Sequence, residues 1–98
     1  MTALLILNYD VVDGQRLQDY RHSAAQAILG STGRLVTSTN DTLGLDESTT
    51  TGRTTIIIEY PSREEAERRY KSVAYQAILP ERLAATIPRA AFIVDLTE

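Results

Sequence analysis

The sequence predicts one α+β domain whose elements run strand, helix, strand, strand, helix, strand. Three observations carry that expectation. Residues 3–9 are rich in Leu and Ile without helical spacing, as in a buried strand. Thr54–Tyr60 is a second apolar run, centred on three consecutive isoleucines, and β-branched residues suit a strand. Each run is followed by a segment with apolar residues three and four positions apart, the spacing of a helix face. A chain of 98 residues holds one domain with one modest core, here residues 1–98.

Taken in order, Asp13-Gly14 closes the segment after the first strand. A helix is predicted over residues 15–29, with Leu17, Tyr20, Ala24, Ala27 and Ile28 on its inner stripe. Gly30, Ser31 and Gly33 stop it. Residues 34–39 form a second strand. Residues 40–53 are polar and hold Gly44, Gly52 and a Thr-rich run, which reads as a long hairpin connection with little packing. After the isoleucine strand, Pro61-Ser62 opens a second helix. Ser62 and Glu65 are spaced as a reciprocal capping box. Its inner stripe is Ala66, Tyr70 and Val73. Residues 75–86 are expected to add one or two short helical turns with Pro80 at a helix start. Pro88 ends that region, and residues 91–96 make the last strand.

This order suggests a ferredoxin-like four-stranded antiparallel sheet with both helices on one face. The central strands, however, are apolar on both sides. Leu5 and Leu7 point one way, Leu4 and Ile6 the other; Ile56 and Ile58 oppose Ile57 in the same manner. An uncovered apolar sheet face costs about 25 cal/mol per Å². The expectation is a homodimer packed sheet to sheet. A monomer with the long connection folded over the sheet is the alternative.

Composition narrows the function. The net charge is −3 and acidic and basic residues are interspersed, which argues against nucleic acid or an anionic membrane as partner. The apolar run near the N-terminus is too short for a membrane span. The chain has no cysteine, so thiolate chemistry and disulfides are excluded, and a cytoplasmic location is expected. One histidine and no cysteine leave no metal-ligand pattern and no expected cofactor.

Arg21 is the most informative residue. At ~100° per residue it falls inside the stripe of Leu17, Ala24 and Ile28. A guanidinium there must meet an acid, a carbonyl or a bound anion. It is either an anchor for a carboxylate, phenolate or enolate, or the partner of Glu59 or another acid, or it reaches solvent. Glu59 and Arg53 share one face of the third strand; Asn8 and Asp10 share one face of the first. A carboxylate at a buried strand end can serve as a base, or it can be a salt-bridge partner at the sheet margin. His22 falls roughly 150° from the stripe and so toward solvent. Tyr20 and Tyr70 lie on inner helix faces, where hydroxyls can bind a ligand or complete the core.

In order along the chain, Tyr20-Arg21, Gly33, Arg53, Glu59-Tyr60-Pro61-Ser62, Ala66, Tyr70, Ser72, Tyr75-Gln76 and Arg82 resemble the domain of unknown function family 1330, in the dimeric α+β barrel superfamily. The resemblance spans nearly the whole chain. It implies a ferredoxin-like protomer and a dimer and no general activity; the wider superfamily includes cofactor-free monooxygenases, isomerases, polyketide cyclases and haem-degrading enzymes. This chain departs from the family pattern at Thr32-Gly33, at residues 72–76, where a carboxylate is missing, and across residues 41–51. The expected function is that of a small cofactor-independent enzyme, an isomerase, cyclase or lyase. Its substrate is an apolar or aromatic metabolite with a carbonyl or acidic group. The candidate catalytic residues are Arg21, Glu59, Asp10 and Tyr20; the candidate substrate-binding residues are Asn8, Arg53, Tyr70 and Tyr75. A non-catalytic binding or interaction module is the rival.

Overall fold

A computed structural model describes residues 1–45 and 50–97 of the chain. Its elements are β1 (Ala3–Val11), α1 (Gly14–Leu29), β2 (Arg34–Thr39), β3 (Thr54–Tyr60), α2 (Arg63–Tyr70), α3 (Val73–Ala85) and β4 (Thr86–Asp95). The strands form one sheet in the order β2-β3-β1-β4, antiparallel throughout, as the ferredoxin-like reading expects.

Alternation along β1 sets both layers. Ala3, Leu5, Leu7 and Tyr9 are buried under the helices, with Leu5 opposite Ile58 and Ile93. Leu4 and Ile6 turn to the other face and are only half-buried. There Ile6 lies between Ile57 and Phe92, and Leu4 faces Val94. Phe92 is 47% exposed and Val94 37%. Among the described residues the second sheet face is therefore apolar and left partly exposed.

On the helical side, Leu17, Tyr20, Ala24 and Ile28 of α1 are buried as the stripe predicts. Asp13 caps α1 by accepting from the Arg16 N–H at 3.1 Å. Gly30 ends it with φ of +57°, a conformation that suits glycine. The Arg69 guanidinium packs where a side chain on Gly30 would go and donates to the Ala27 carbonyl at 2.8 Å.

Four sequence expectations need correction. Only half of the capping box forms. Ser62 accepts from the Glu65 N–H at 3.1 Å, but the Glu65 carboxylate turns to Thr32 (2.6 Å) and Arg68 (2.8 Å), a charge-assisted choice. Val73 is 88% exposed and starts α3 rather than extending the stripe of α2. Pro80 lies inside a continuous α3, capped by Ser72, instead of starting a helix. Pro80 and Gln76 sit on the exposed side, where water can satisfy the carbonyl that loses its partner. Pro88 lies within β4, not before it. β4 is an edge strand whose register against β1 shifts between Asn8 and Tyr9, and a bulged edge tolerates proline.

The connection between β2 and β3 is better anchored than its composition suggests. The Asn8 carboxamide donates to the Gly52 carbonyl (3.0 Å) and accepts from the Gly52 N–H (2.7 Å). The Thr42 and Thr55 hydroxyls meet at 2.6 Å. Part of the long hairpin connection read from the sequence, residues 46–49, lies outside the described residues.

Gly52 is pressed against β1: a Cβ there would lie 2.6 Å from the Tyr9 carbonyl carbon and oxygen. Backbone cannot yield as a flexible side chain can, so Gly52→Ala should cost about 1–3 kcal/mol, the range for overpacking. A lowered urea midpoint at unchanged m-value would show it. An unchanged midpoint would mean that the loop is not held against Tyr9.

Candidate functional site

Two cavities meet at Arg21. A polar cleft of about 400 Å³ opens at the end of the sheet, bounded by Asp10, Leu17, Arg21, Asn40, Arg53 and Thr54. An apolar groove of about 210 Å³ runs between α1 and the sheet, walled by Leu7, Tyr9, Tyr20, Ala24, Leu35 and Ile56. Arg21 borders both. Periodicity on α1 places it there, one turn beyond Leu17.

The Arg21 guanidinium donates from Nη2 to the Tyr9 hydroxyl at 3.3 Å. Its Nε is buried and has no hydrogen-bond partner among the described residues. Burying such a donor unpaired is costly, and unsatisfied buried groups concentrate where a ligand or water completes the set. The alternative of a pair with Glu59 does not form. Glu59 is opposite Leu4, on the face of β3 away from the helices, and takes Arg34 at 2.5 Å. It stands far along β3 from the cleft residues Arg53 and Thr54.

Asp10 does border the cleft, but its carboxylate is engaged. It accepts the Arg53 N–H at 3.0 Å and pairs with Arg89 at 3.0 Å. The Arg53 N–H first, and Arg89 second, hold its carboxyl below the usual carboxylate range. A carboxylate so stabilised is a weak proton acceptor. Arg53 borders the cleft with its side chain exposed. Asn8 lies on the open sheet face, where its amide holds Gly52, Thr54 and Thr55, leaving it a structural task. His22 is exposed, as the helical wheel expects.

The tyrosines divide between two places. Tyr9 and Tyr20 line the groove. Tyr75, fully buried, and Tyr70 sit behind it and do not border either cavity. Tyr20 and Tyr75 touch hydroxyl to hydroxyl at 2.5 Å, with rings edge to face at 6.3 Å. Behind them Arg82, 4% exposed, donates to Tyr75 at 3.1 Å and to Tyr70 at 3.2 Å. No described carboxylate pairs with this buried cation. Sequence reasoning did not place Arg82 in a site. The signal was its spacing of seven residues from Tyr75, about two helical turns, which puts both on one face.

Among the described residues no group of three or more His, Asp or Glu could hold a metal ion, and no helix is long and apolar enough to cross a membrane.

The family model described as "Domain of unknown function (DUF1330)" matches residues 2–96. The chain belongs to the DUF1330 family. No match appears among curated proteins. Solved structures share the fold of this DUF1330 protein. A protein of unknown function from Rhodopseudomonas palustris aligns with TM-score 0.69 at 16% identity, covering 99% of this chain and 82% of its own. A dimeric ferredoxin-like protein of unknown function from Thermobifida fusca gives 0.64 at 11%, covering 98% and 92%. A candidate antibiotic biosynthesis monooxygenase from Nitrosomonas europaea gives 0.58 at 15%, covering 95% and 88%. At such identities the likeness is one of fold, and fold does not fix activity.

The buried phenols of this DUF1330 chain make a prediction for alkaline pH. Desolvation raises Tyr20, Tyr60 and Tyr75 above the ordinary 10.0, Tyr60 to about 12. A raised folded pKa means that the stabilisation is complete below the unfolded value and fades as pH climbs through the folded one. Stability should therefore fall from pH 10 toward 12, and absorbance at 295 nm should report fewer ionised tyrosines at pH 11 in folded than in denatured protein. Tyr60→Phe should remove the part of that titration that falls near pH 12. Simultaneous ionisation of all five tyrosines near pH 10 in the folded state would contradict it.

Proposed function

We propose that the DUF1330 chain binds a small apolar or aromatic metabolite carrying a carboxylate, enolate or carbonyl, and catalyses proton transfer on it without a cofactor. The observation that carries the reading is the buried, partnerless Nε of Arg21 at the junction of a polar cleft and an apolar groove. The acidic head would lie on Arg21 with Arg53 nearby, and the body would lie along Leu7, Ala24, Leu35 and Ile56. Ligand sites are typically concave and apolar with a few placed polar groups, and a guanidinium is suited to a planar anion. Tyr20 would donate to the ligand, and Asp10 is the nearest carboxylate for moving a proton. Glu59 has no part in this site within one protomer.

The rival reading is a ligand-binding module without turnover. Its support is the low basicity of Asp10. Phenylpyruvate, which is aromatic, anionic and enolisable, separates the two. Proton NMR in deuterium oxide should show enhanced exchange at its C3 with wild type. Arg21→Gln should reduce the second-order rate at least tenfold, about 1.4 kcal/mol of lost stabilisation, while the melting temperature stays within a few degrees. Binding without exchange would favour the module. Exchange and binding both indifferent to Arg21→Gln would remove the anchor.

The same proposal includes a homodimer through the open sheet face. Leu4, Ile6, Ile57, Phe92 and Val94 share that face, and fold neighbours are described as dimeric. Sedimentation equilibrium at micromolar concentration should give twice the 10.9 kDa chain mass. Ile57→Glu, on a face that is uncovered in one chain, should return the mass to one protomer with the fold retained. A monomeric wild type would refute the assembly.

A further inference from the structure

The hydroxyls behind the groove do not balance. Tyr20 and Tyr75 bring two phenolic protons and share a single hydrogen bond at 2.5 Å. A guanidinium only donates, so Arg82 Nη1 makes the Tyr75 oxygen an acceptor at 3.1 Å. Two arrangements follow. If Tyr20 donates to Tyr75, the Tyr75 proton has no acceptor in a place that is 0% exposed. If Tyr75 donates to Tyr20, the spare proton sits on Tyr20, which borders the groove. An unmade hydrogen bond costs most where no ligand or water can reach, so the second arrangement is preferred.

Tyr9 has the same bookkeeping on the other side. Its oxygen accepts from Arg21 Nη2 at 3.3 Å, its own proton has no acceptor among the described residues, and it borders the same groove. The residues lining the groove include no carboxylate. Arg21, Tyr9 and Tyr20 thus offer the groove donors, with no carboxylate and, besides the phenols, only the Ser38 hydroxyl among its lining side chains able to receive them. Such a cavity matches a ligand rich in acceptor oxygens.

We propose that Arg82 is a positioning residue: through Tyr75 it fixes Tyr20 as a hydrogen-bond donor to the groove. The ligand therefore carries, besides the acidic head held by Arg21, a second acceptor oxygen of carbonyl or enolate type within its apolar body. This rests on the Arg21 anchor proposed above. It also gives a buried arginine without a carboxylate a reason to be there: its charge orders the two hydroxyls in series.

A pair of probes of nearly equal shape tests it. 4-Acetylbenzoate has a carbonyl where 4-isopropylbenzoate has a methyl group. Wild type should bind the ketone at least fivefold more tightly by calorimetry. Tyr20→Phe should bring the two dissociation constants within twofold of each other, and so should Arg82→Met. Because loss of a buried cation can disturb folding, Tyr75→Phe serves as the second interruption of the relay and should also abolish the preference. A merely structural role would weaken both probes alike and leave their ratio unchanged in Tyr75→Phe, which would overturn the inference. Arg21-dependent binding of both probes with no ketone preference in wild type would overturn it while leaving the anchor intact. If neither probe binds in an Arg21-dependent way, the anchor and the relay fall together.

Discussion

The constraint on which this fold depends is the two-sided duty of β1. It is hydrogen-bonded to β3 on one side and β4 on the other, so its residues have only the two faces left to use. Odd positions go under the helices and even positions go to the open face. Fully burying Leu5 and Leu7 is worth about 1.5–3 kcal/mol each, and a slip of one residue would exchange them for Leu4, Ile6 and Asn8. That register brings Tyr9 beneath Arg21 and sends Asp10, its neighbour in sequence, to the rim. The site is thus a consequence of where the alternation runs out at the end of the strand.

Charges in the chain fall into two classes. Arg16–Glu81, Arg63–Asp95 and Lys71–Glu67 are exposed pairs, each worth little after solvent screening. Arg21 and Arg82 are different. Arg21 has a buried nitrogen without a partner among the described residues, a feature it shares with Arg69, and Arg82 is 4% exposed with phenol oxygens as its acceptors. Burial works against the charge of Arg82, and the oxygens of Tyr75 and Tyr70 accept from its guanidinium. Neutral partners hold a guanidinium in place without cancelling its field, so the electrostatic influence of Arg82 reaches the next hydroxyl.

Much of the fold was legible because its signals are periodic. The Leu- and Ile-rich run of residues 3–9 and the three isoleucines gave the central strands, and the stripe of Leu17, Ala24 and Ile28 gave α1. The misreadings fall where a local rule met a tertiary contact. Pro80 and Pro88 look like boundaries, yet one lies on an exposed helix side and the other at an edge-strand bulge. Glu65 fits a capping box, but Arg68 and Thr32 compete for its carboxylate. For the site, the wheel placed Arg21 correctly in the inner stripe. It could not say that Glu59 would be claimed by Arg34, since that pairing depends on the β2–β3 register. Asn8 had the residue type of a ligand contact and became a clamp because Gly52 returns over β1.

The clamp links the two faces of the sheet. Asn8 is on the open face, where a second copy is proposed to pack, and both ends of its amide hold Gly52. The next residue, Arg53, borders the polar cleft, and its N–H fixes Asp10 at the rim. A chain segment held this tightly cannot shift at Gly52 without moving the Arg53 N–H that Asp10 accepts. Coverage of the open face would desolvate the Asn8 hydrogen bonds and strengthen them in the lower dielectric. Assembly on one face would then stiffen the rim of the site on the other through three consecutive contacts, Asn8 to Gly52, Gly52 to Arg53 and Arg53 to Asp10. Association and ligand binding would be thermodynamically coupled to the extent that the ligand requires that rim to be ordered, and the coupling would act equally in both directions.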